Sequence, residues 1–177
     1  MKKLITAALV ATLITGAAMA QQPKQHCGNC PHHQHAQQCQ QQSKVNADGI
    51  DMAIIKAFPA AKSVKKSGKW TEVYDSMKNL LGYVVYSKPA SDDIKGYNGE
   101  TPVMIAFNTK KVITGVYLLP NQETPKFVQH VEQTGYFNSW NGLTVKKALK
   151  KKVDTVSGAT FTSKAVAESV QAILKTL

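Results

Sequence analysis

Five hydroxyl-bearing side chains lie close together near the C-terminus, in the sequence DTVSGATFTS at residues 154–163. They are Thr155, Ser157, Thr160, Thr162 and Ser163, arranged around the pair Gly158 and Ala159. An amphipathic pattern follows at once, so the segment is predicted to lead into a helix. Free N–H groups and partial positive charge at a helix start attract anions, and small residues let a phosphate approach the backbone. The sequence therefore predicts a phosphate site here, with simple helix capping by Thr162 or Ser163 as the alternative.

A second group of potential ligands lies near the N-terminus, in HCGNCPHHQHAQQC at residues 26–39. The candidate metal ligands are Cys27, Cys30, His32, His33, His35 and Cys39. Thiolates and imidazoles at this spacing can bind zinc or copper. A disulfide between Cys27 and Cys30, or a solvated segment without metal, are the alternatives. A c-type haem is not expected, because Pro31 follows Cys30 where haem attachment requires His.

The N-terminal 45 residues are predicted to lie outside the folded domain. Residues 1–20 resemble a cleaved signal peptide, with Lys2 and Lys3 before an apolar run and Ala18-Met19-Ala20 at its end. That run is short for a bilayer span, which leaves an uncleaved membrane anchor as the alternative. Residues 21–45 are rich in Gln and His and poor in large apolar side chains, so they are predicted to form a flexible tether. The protein is thus expected in the periplasm or another extracytoplasmic compartment.

Hydrophobic periodicity predicts one α+β domain over residues 46–177. Helical spacing occurs at 48–58, 124–135, 144–153 and 162–175. Four segments rich in Val, Ile, Tyr and Phe, at 69–76, 80–88, 102–108 and 112–119, are predicted strands. Because the connections are short, antiparallel pairing is expected. The predicted architecture is a largely antiparallel sheet flanked by helices.

All basic side chains of this chain, apart from histidine, are lysines, and the net charge is +11. Arginine is the residue of bidentate phosphate and guanine recognition, so its absence, together with export, argues against nucleic acid binding. The lysine run at 146–152 fits the solvated face of a helix capped by Thr144. The remaining interpretation of the charge is weak steering toward acidic partners or anionic lipid.

The segment DTVSGATFTS resembles the flavinylation signature of the FMN-binding domain family, in which Asp, two residues, and Ser or Thr precede Gly-Ala-Thr. That family includes the C subunit of the sodium-pumping NADH:quinone reductase and the G subunit of the Rnf complex. Three further segments agree in order and spacing: KGYNGETPVMIAFN (95–108), VITGVYLLPNQETP (112–125) and FNSWNG (137–142). The resemblance thus runs from about residue 95 to residue 173. One departure is Lys126-Phe127-Val128, where the family often has Gly-Leu-Gly.

The resemblance implies FMN joined by a phosphoester to Thr160, attached by a flavin transferase that uses FAD. It implies further cofactor-binding residues in the same loop and in two segments upstream: Asp154, Ser157, Gly158, Ala159, Thr162, Ser163, Glu123, Thr124, Pro125, Gly96, Tyr97 and Gly99. Thr124 and Pro125 also fit a plain helix start. Tyr97, Phe137 and Trp140 are candidates to stack on the isoalloxazine ring, with core packing as the alternative.

The function expected from these features is an exported electron carrier. It would relay electrons from a membrane reductase to an extracytoplasmic acceptor and needs no catalytic residue of its own. A flavin reductase for a small substrate is one alternative, although no acid/base pair adjoins the loop in the sequence. A metal-binding module built on residues 26–39 is the other.

Overall fold

The computed structural model describes residues 49–177, in which five antiparallel strands follow one another as a meander, in the order β1-β2-β3-β4-β5. The strands are β1 (Ser63–Ser67), β2 (Trp70–Tyr74), β3 (Leu80–Tyr86), β4 (Val103–Phe107) and β5 (Ile113–Leu118). The helices are α1 (Met52–Ala57), α2 (Pro125–Gln133), α3 (Val145–Lys150) and α4 (Thr160–Lys175), with a 3-10 helix at Tyr136–Trp140. The predicted α+β class with an antiparallel sheet is confirmed. The predicted signal peptide, tether and Cys/His group lie outside the described residues.

The sheet is covered on both faces, and the central strand β4 shows why. All five of its residues are buried. Val103, Ile105 and Phe107 pack into the larger core with α4, whereas Met104 and Ala106 pack into a second core with α1. Successive side chains of a strand point to opposite faces, so a continuous apolar run is what a strand between two layers of helix requires.

The edge strand β1 was not predicted from the sequence. Its five residues, SVKKS, are all exposed and carry two lysines. It pairs antiparallel with β2 through a tight hairpin, with Lys65 opposite Glu72. Lysines on an edge strand discourage pairing with another chain. The polar composition that prevented prediction of β1 from the sequence therefore suits an edge strand.

The long helix α4 anchors the C-terminal half of the domain. Its inner face buries Val166, Val170, Ile173 and Leu174 against the larger core. Each such side chain contributes about 1.5–3 kcal/mol when fully buried. This packing fixes α4 against the sheet, and Thr160 lies at its first turn. This helix begins at Thr160, two residues before the predicted start.

Candidate functional site

The loop at residues 154–159 leads directly into α4, and Thr160 is the first residue of that helix. Val156 and Ala159 are buried and anchor the loop, whereas Ser157, Gly158 and Thr160 are exposed. The Thr160 hydroxyl donates to the Val156 carbonyl oxygen over 3.5 Å, at the outer limit of a hydrogen bond. The Thr160 side chain is therefore open to reaction.

The backbone around Thr160 offers donors to an anion. The first hydrogen bond of the α4 ladder runs from the Ser163 N–H to the Ala159 carbonyl, at 2.9 Å. The N–H groups of residues 160–162 precede it and thus have no acceptor one turn back in the helix. The N-cap residue is Ala159, and no side chain caps the helix. The capping alternative for Thr162 or Ser163 is therefore wrong.

The hydroxyls of Thr162 and Ser163, both predicted as cofactor contacts, form hydrogen bonds within the protein. Both residues are buried. Ser163 Oγ accepts from the Val156 N–H at 2.9 Å and donates to the Ala159 carbonyl at 2.9 Å, so it closes the loop onto the helix. Thr162 Oγ1 donates to a carboxylate oxygen of Glu123. Of the five hydroxyls, these two shape the loop, and the exposed ones remain for chemistry.

Glu123 is the junction between three segments of the site. Its side chain is 5% exposed. The carboxylate accepts the N–H of Tyr97 at 3.2 Å, of Asn98 at 2.6 Å and of Gly99 at 3.1 Å, in addition to the Thr162 hydroxyl. Four donors satisfy a buried carboxylate, so it is tolerated there. The sequence placed Glu123 at the flavin; the structure has it joining the turn at 96–99 to α4.

The turn at residues 96–99 depends on glycine for packing. The Gly96 N–H donates to the Gly99 carbonyl at 2.7 Å, which makes the turn tight. A Cβ on Gly96 would lie 2.8 Å from Glu123 Cδ, and one on Gly99 would lie 3.4 Å from Gln122 Oε1. Asn98 Nδ2 also reaches Thr124 Oγ1 at 3.5 Å. Gly96 thus lets the turn sit directly on the carboxylate.

Three aromatic rings lie together beside Thr160. Tyr97 meets Phe127 edge to face at a centroid distance of 5.8 Å and meets Phe161 at 6.3 Å. Tyr97 is 62% exposed and Phe161 is 67% exposed. Large exposed rings in contact with one another often mark a binding surface. We refer to Tyr97, Phe127 and Phe161 as the aromatic patch; Phe127 and Phe161 were not predicted as site residues.

The other two stacking candidates belong to the interior. Trp140 is 1% exposed and packs edge to face on Tyr136 at 5.6 Å. Phe137 is half-buried and packs on the same tyrosine at 6.2 Å. The core-packing alternative is therefore confirmed for Trp140, and Tyr97 remains the one candidate of the three beside the loop.

Two features of α2 complete the site. Thr124 is the N-cap residue of α2 and Pro125 its first residue, as predicted, although no side-chain capping bond forms. His130 Nε2 lies 2.9 Å from the Ser157 carbonyl oxygen, so this ring nitrogen donates to the loop. Gly158 beside it has φ +80°, a conformation that glycine adopts readily. The sequence did not predict His130 as a site residue, because its hydrogen bond joins two residues that are 27 positions apart in the chain.

The opposite side of the loop faces a buried tyrosine. Tyr136 donates its hydroxyl to the Ser163 carbonyl at 2.9 Å. Burial raises the pKa of Tyr136 to about 12, and the negative charge of Asp154 adds to the effect. Asp154 itself is exposed. It lies at the start of the loop, where it lines a cavity together with Tyr136 and Ser157.

Within residues 49–177 no cluster of His, Cys, Asp and Glu has the arrangement of a metal site. The predicted zinc or copper ligands Cys27, Cys30, His32, His33, His35 and Cys39 lie outside this range. In the same range, no helix combines the length and apolarity needed to cross a bilayer.

Comparison with known proteins identifies the domain. Residues 96–175 match the model of the FMN-binding domain. This part of the chain is similar to that family, which confirms the resemblance found in the sequence. The match begins at Gly96 and includes the turn, Glu123, the loop and nearly all of α4.

Two curated relatives are components of larger assemblies. The chain is 29% identical over 136 residues to the G subunit of the Na(+)-translocating ferredoxin:NAD(+) oxidoreductase complex of Acetobacterium woodii, covering 70% of this chain and 63% of the relative. It is 28% identical over 109 residues to the G subunit of the ion-translocating oxidoreductase complex of Shewanella piezotolerans, covering 55% and 50%. The chain thus spans between half and two thirds of these relatives. Among solved structures, NqrC of Shewanella oneidensis superposes with a TM-score of 0.39 at 19% identity, covering 72% of this chain and 70% of NqrC.

The residues at the start of α4 fit FMN chemically. The exposed Thr160 hydroxyl can carry a phosphate ester, and the neighbouring N–H groups can solvate its charge. The aromatic patch offers flat apolar surface to an isoalloxazine ring. Phe127 is the middle residue of the family departure at residues 126–128, where the family often has Leu, and it contributes an aromatic ring to this patch.

Proposed function

We propose that this chain is an exported electron carrier that holds FMN covalently through a phosphoester to Thr160 Oγ1. The supporting observation is the position of that hydroxyl: it is exposed, at the start of a long buried helix, and next in sequence to the exposed ring of Phe161. Thr155 and Ser157 are also exposed but lie in the preceding loop, before the free N–H groups of the first turn.

The attachment reaction needs a second enzyme. In the proposed step a flavin transferase breaks the pyrophosphate bond of FAD, the phosphorus of the FMN half bonds to Thr160 Oγ1, and AMP leaves with the hydroxyl proton. A threonine hydroxyl is a weak nucleophile without a base. The nearest described imidazole, His130, is engaged with the Ser157 carbonyl, so the base is assigned to the transferase.

The domain's own part is to hold and orient the cofactor. Bound FMN supplies the redox chemistry, and the protein supplies position and electrostatics. We assign the phosphate to the N–H groups of residues 160–162 and the ring to the aromatic patch. Glu123, Gly96, Gly99 and Ser163 support these two surfaces from behind, and Thr124 and Pro125 fix the start of α2. Asp154, Ser157, Gly158 and Ala159 form the frame that the transferase reads.

The proposed relay runs between a membrane reductase and an extracytoplasmic acceptor. The relatives' names, which place them in ion-translocating oxidoreductase complexes, support redox partners at a membrane. Residues 1–20 are assigned to a cleaved signal peptide and residues 21–45 to a tether. A covalent link suits this setting, because a non-covalent site with a Kd of about 1 μM would empty wherever free flavin is scarcer than that.

The test is the intact mass of the chain after co-expression with a flavin transferase. The expected result is one addition of FMN minus water, with flavin fluorescence that stays with the protein band on a denaturing gel. Thr160→Ala should abolish both signals. Thr155→Ala, which removes an exposed hydroxyl of the same loop, is the matched control and should keep them. An unmodified wild-type chain, or modified Thr160→Ala protein, would refute the assignment.

The position of the ring has its own test. Stacked aromatic side chains quench flavin fluorescence, so Tyr97→Ala should raise the emission of the native flavinylated protein. The same substitution should leave emission unchanged after denaturation in urea. Phe137→Leu, a substitution at the half-buried ring packed on Tyr136, is the control and should change neither value. Equal emission of the Tyr97→Ala and wild-type native proteins would contradict stacking at the aromatic patch.

A further inference from the structure

A groove with lysines along its rim runs between α3 and α4. It has a volume of about 990 Å³. Its lining includes apolar side chains such as Leu149, Ala167 and Ala172. Four lysines also line it, together with two carboxylates, Asp154 and Glu168; these lysines, here called the rim lysines, are Lys150, Lys151, Lys152 and Lys175. We call this surface the lysine groove. An apolar contact area with an excess of charge of one sign around it, here four lysines against two carboxylates, is a composition that suits a docking surface.

The charge of the lysine groove is not balanced locally. From residue 144 to the C-terminus there are seven lysines and two carboxylates, Asp154 and Glu168. Within residues 49–177, the ion pairs join Lys88 to Glu100 and Lys164 to Glu168, so no carboxylate pairs with a rim lysine. Lys151 donates to the Ser139 carbonyl instead. The rim lysines therefore repel one another, and an acidic partner would relieve this repulsion.

The solvated helix face predicted from the sequence explains only part of this run. α3 ends at Lys150, and Lys151 has extended backbone angles, φ −77° and ψ 122°. Lys151 and Lys152 thus lie beyond the helix, on the strand-like segment that continues into the 154–159 loop. Their position beside an apolar groove is a property of the fold.

The lysine groove adjoins the proposed flavin site. Lys152 and Ser157 line one neighbouring cavity of about 490 Å³, so the lysine segment and the flavin loop share a wall. Ala167 of the groove is seven residues along α4 from Thr160, which is about 10 Å along the helix axis. A partner seated in the groove would lie beside the cofactor loop.

We propose that the lysine groove docks an acidic redox protein, whose carboxylates meet the rim lysines around an apolar contact. This inference rests on the proposed function, since it requires a flavin at Thr160. Electron-transfer complexes have small interfaces and need rapid association, and complementary charge supplies that speed. The lysines of the groove indicate an acidic partner, and the adjoining loop, where the flavin is proposed, indicates a redox partner.

The test uses the full flavinylated chain and, as probe, an acidic plant-type [2Fe–2S] ferredoxin. Stopped-flow absorbance follows flavin reduction, in which two reduced ferredoxins each give one electron and the flavin takes its protons from solvent. The groove variant is Lys150→Gln, Lys152→Gln and Lys175→Gln. The control variant is Lys65→Gln, Lys66→Gln and Lys110→Gln, which removes the same charge from exposed positions on β1 and the β4–β5 turn.

At low salt the second-order rate constant of the groove variant should fall about tenfold, and that of the control less than twofold. The dependence of the rate on ionic strength should weaken in the groove variant alone. Equal rates and equal salt dependence in the two variants would overturn the proposal. Loss of flavin attachment in the groove variant would assign the surface to the transferase. If the wild type but not the groove variant sediments with phosphatidylglycerol vesicles, and the ferredoxin rates are equal, the surface would be assigned to a membrane. Both outcomes reject the proposal.

The two proposals fail separately. If the wild-type chain carries no flavin by intact mass, the proposed function fails. Docking is then tested by titrating oxidised ferredoxin into the Thr160→Ala protein, with and without the groove substitutions. The amide signals of residues 149–153 and 167–175 should shift only when the groove lysines are present. Absence of these shifts in both proteins would reject docking as well.

Discussion

Replacing Glu123 tests whether the site is built on its buried carboxylate. Glu123→Ala removes the acceptor of three backbone N–H groups and of the Thr162 hydroxyl. Glu123→Gln keeps the shape but presents an amide nitrogen on one side. If Oε1 keeps its contacts with Asn98 and Gly99, the new NH₂ faces the Tyr97 N–H, donor against donor. The Thr162 hydroxyl can rotate and accept from the NH₂ group.

The magnitudes follow from which donors water can reach. Tyr97 and Asn98 are exposed residues, so their N–H groups can turn to solvent when the carboxylate is absent. Thr162 is 1% exposed, and an unsatisfied buried donor costs about 1–3 kcal/mol. Adding the loss of hydrogen bonds to a charged group, about 1.5–3 kcal/mol each and only partly replaced by water, gives about 3–4 kcal/mol for Glu123→Ala. One opposed donor pair gives about 1–2 kcal/mol for Glu123→Gln.

The assay is urea unfolding combined with amide hydrogen exchange. The free energy of unfolding should rank wild type, Glu123→Gln and Glu123→Ala in that order. The amides of residues 97–99 should exchange faster in both variants than in wild type, whereas the β4 amides should lose protection only by the global change in stability.

A double-mutant cycle with Gly96→Ala tests the packing distance directly. The added Cβ would lie 2.8 Å from Glu123 Cδ, so Gly96→Ala should cost about 1–3 kcal/mol in wild type. In the Glu123→Ala background the clash is gone, and most of that cost should vanish. Additive effects of the two substitutions, or a Glu123→Ala protein destabilised by less than about 1 kcal/mol, would refute this account of the site.

Three smaller effects follow from the same geometry. His130→Ala should slow flavin attachment with little change in Tm, because it removes the 2.9 Å hydrogen bond to the Ser157 carbonyl from an exposed residue. His130→Gln should retain part of the attachment rate. Equal attachment rates in wild type and His130→Ala, followed by intact mass over time, would contradict this expectation. Gly158→Ala should lower the free energy of unfolding by about 1 kcal/mol or more, because φ is +80°, and an unchanged urea midpoint would count against a rigid loop. The pKa of Tyr136 is raised to about 12 from 10.0, so the folded state favours the neutral phenol. The Tm should therefore stay constant below about pH 10 and fall as the pH rises toward 12, and it should fall less steeply in Tyr136→Phe. Parallel curves of Tm against pH for the two proteins would contradict this assignment.

Strand and helix positions were largely readable because their burial is periodic. The four predicted strands enclose β2 to β5, and each predicted helix overlaps an observed one. β1 was missed because no residue of SVKKS is buried, so neither alternation nor an apolar run marks it. Its existence depends on hairpin pairing with β2, a tertiary effect that local composition does not carry.

The division of labour within the hydroxyl loop was not readable from the sequence. Thr160 and Thr162 have the same side chain two residues apart, yet one is exposed and the other bonds Glu123, 39 residues away. On a helix, a separation of two residues places side chains on opposite sides, so one of them must face inward once α4 begins at Thr160. The start of the helix therefore decides which hydroxyl is free, and helix ends are the least certain feature of any sequence pattern.

The aromatic patch shows the same dependence on long-range contact. Tyr97, Phe127 and Phe161 come from three segments that are distant in the sequence and share no motif. Glu123 brings two of these segments together, because it binds the backbone at Tyr97 and the hydroxyl of Thr162, next to Phe161. A short motif can thus point to the proposed acceptor threonine, whereas the proposed surface for the flavin ring depends on one buried carboxylate. This is why disruption of Glu123 should affect both the stability of the turn and the environment of the cofactor, and why the two readouts are expected to change together.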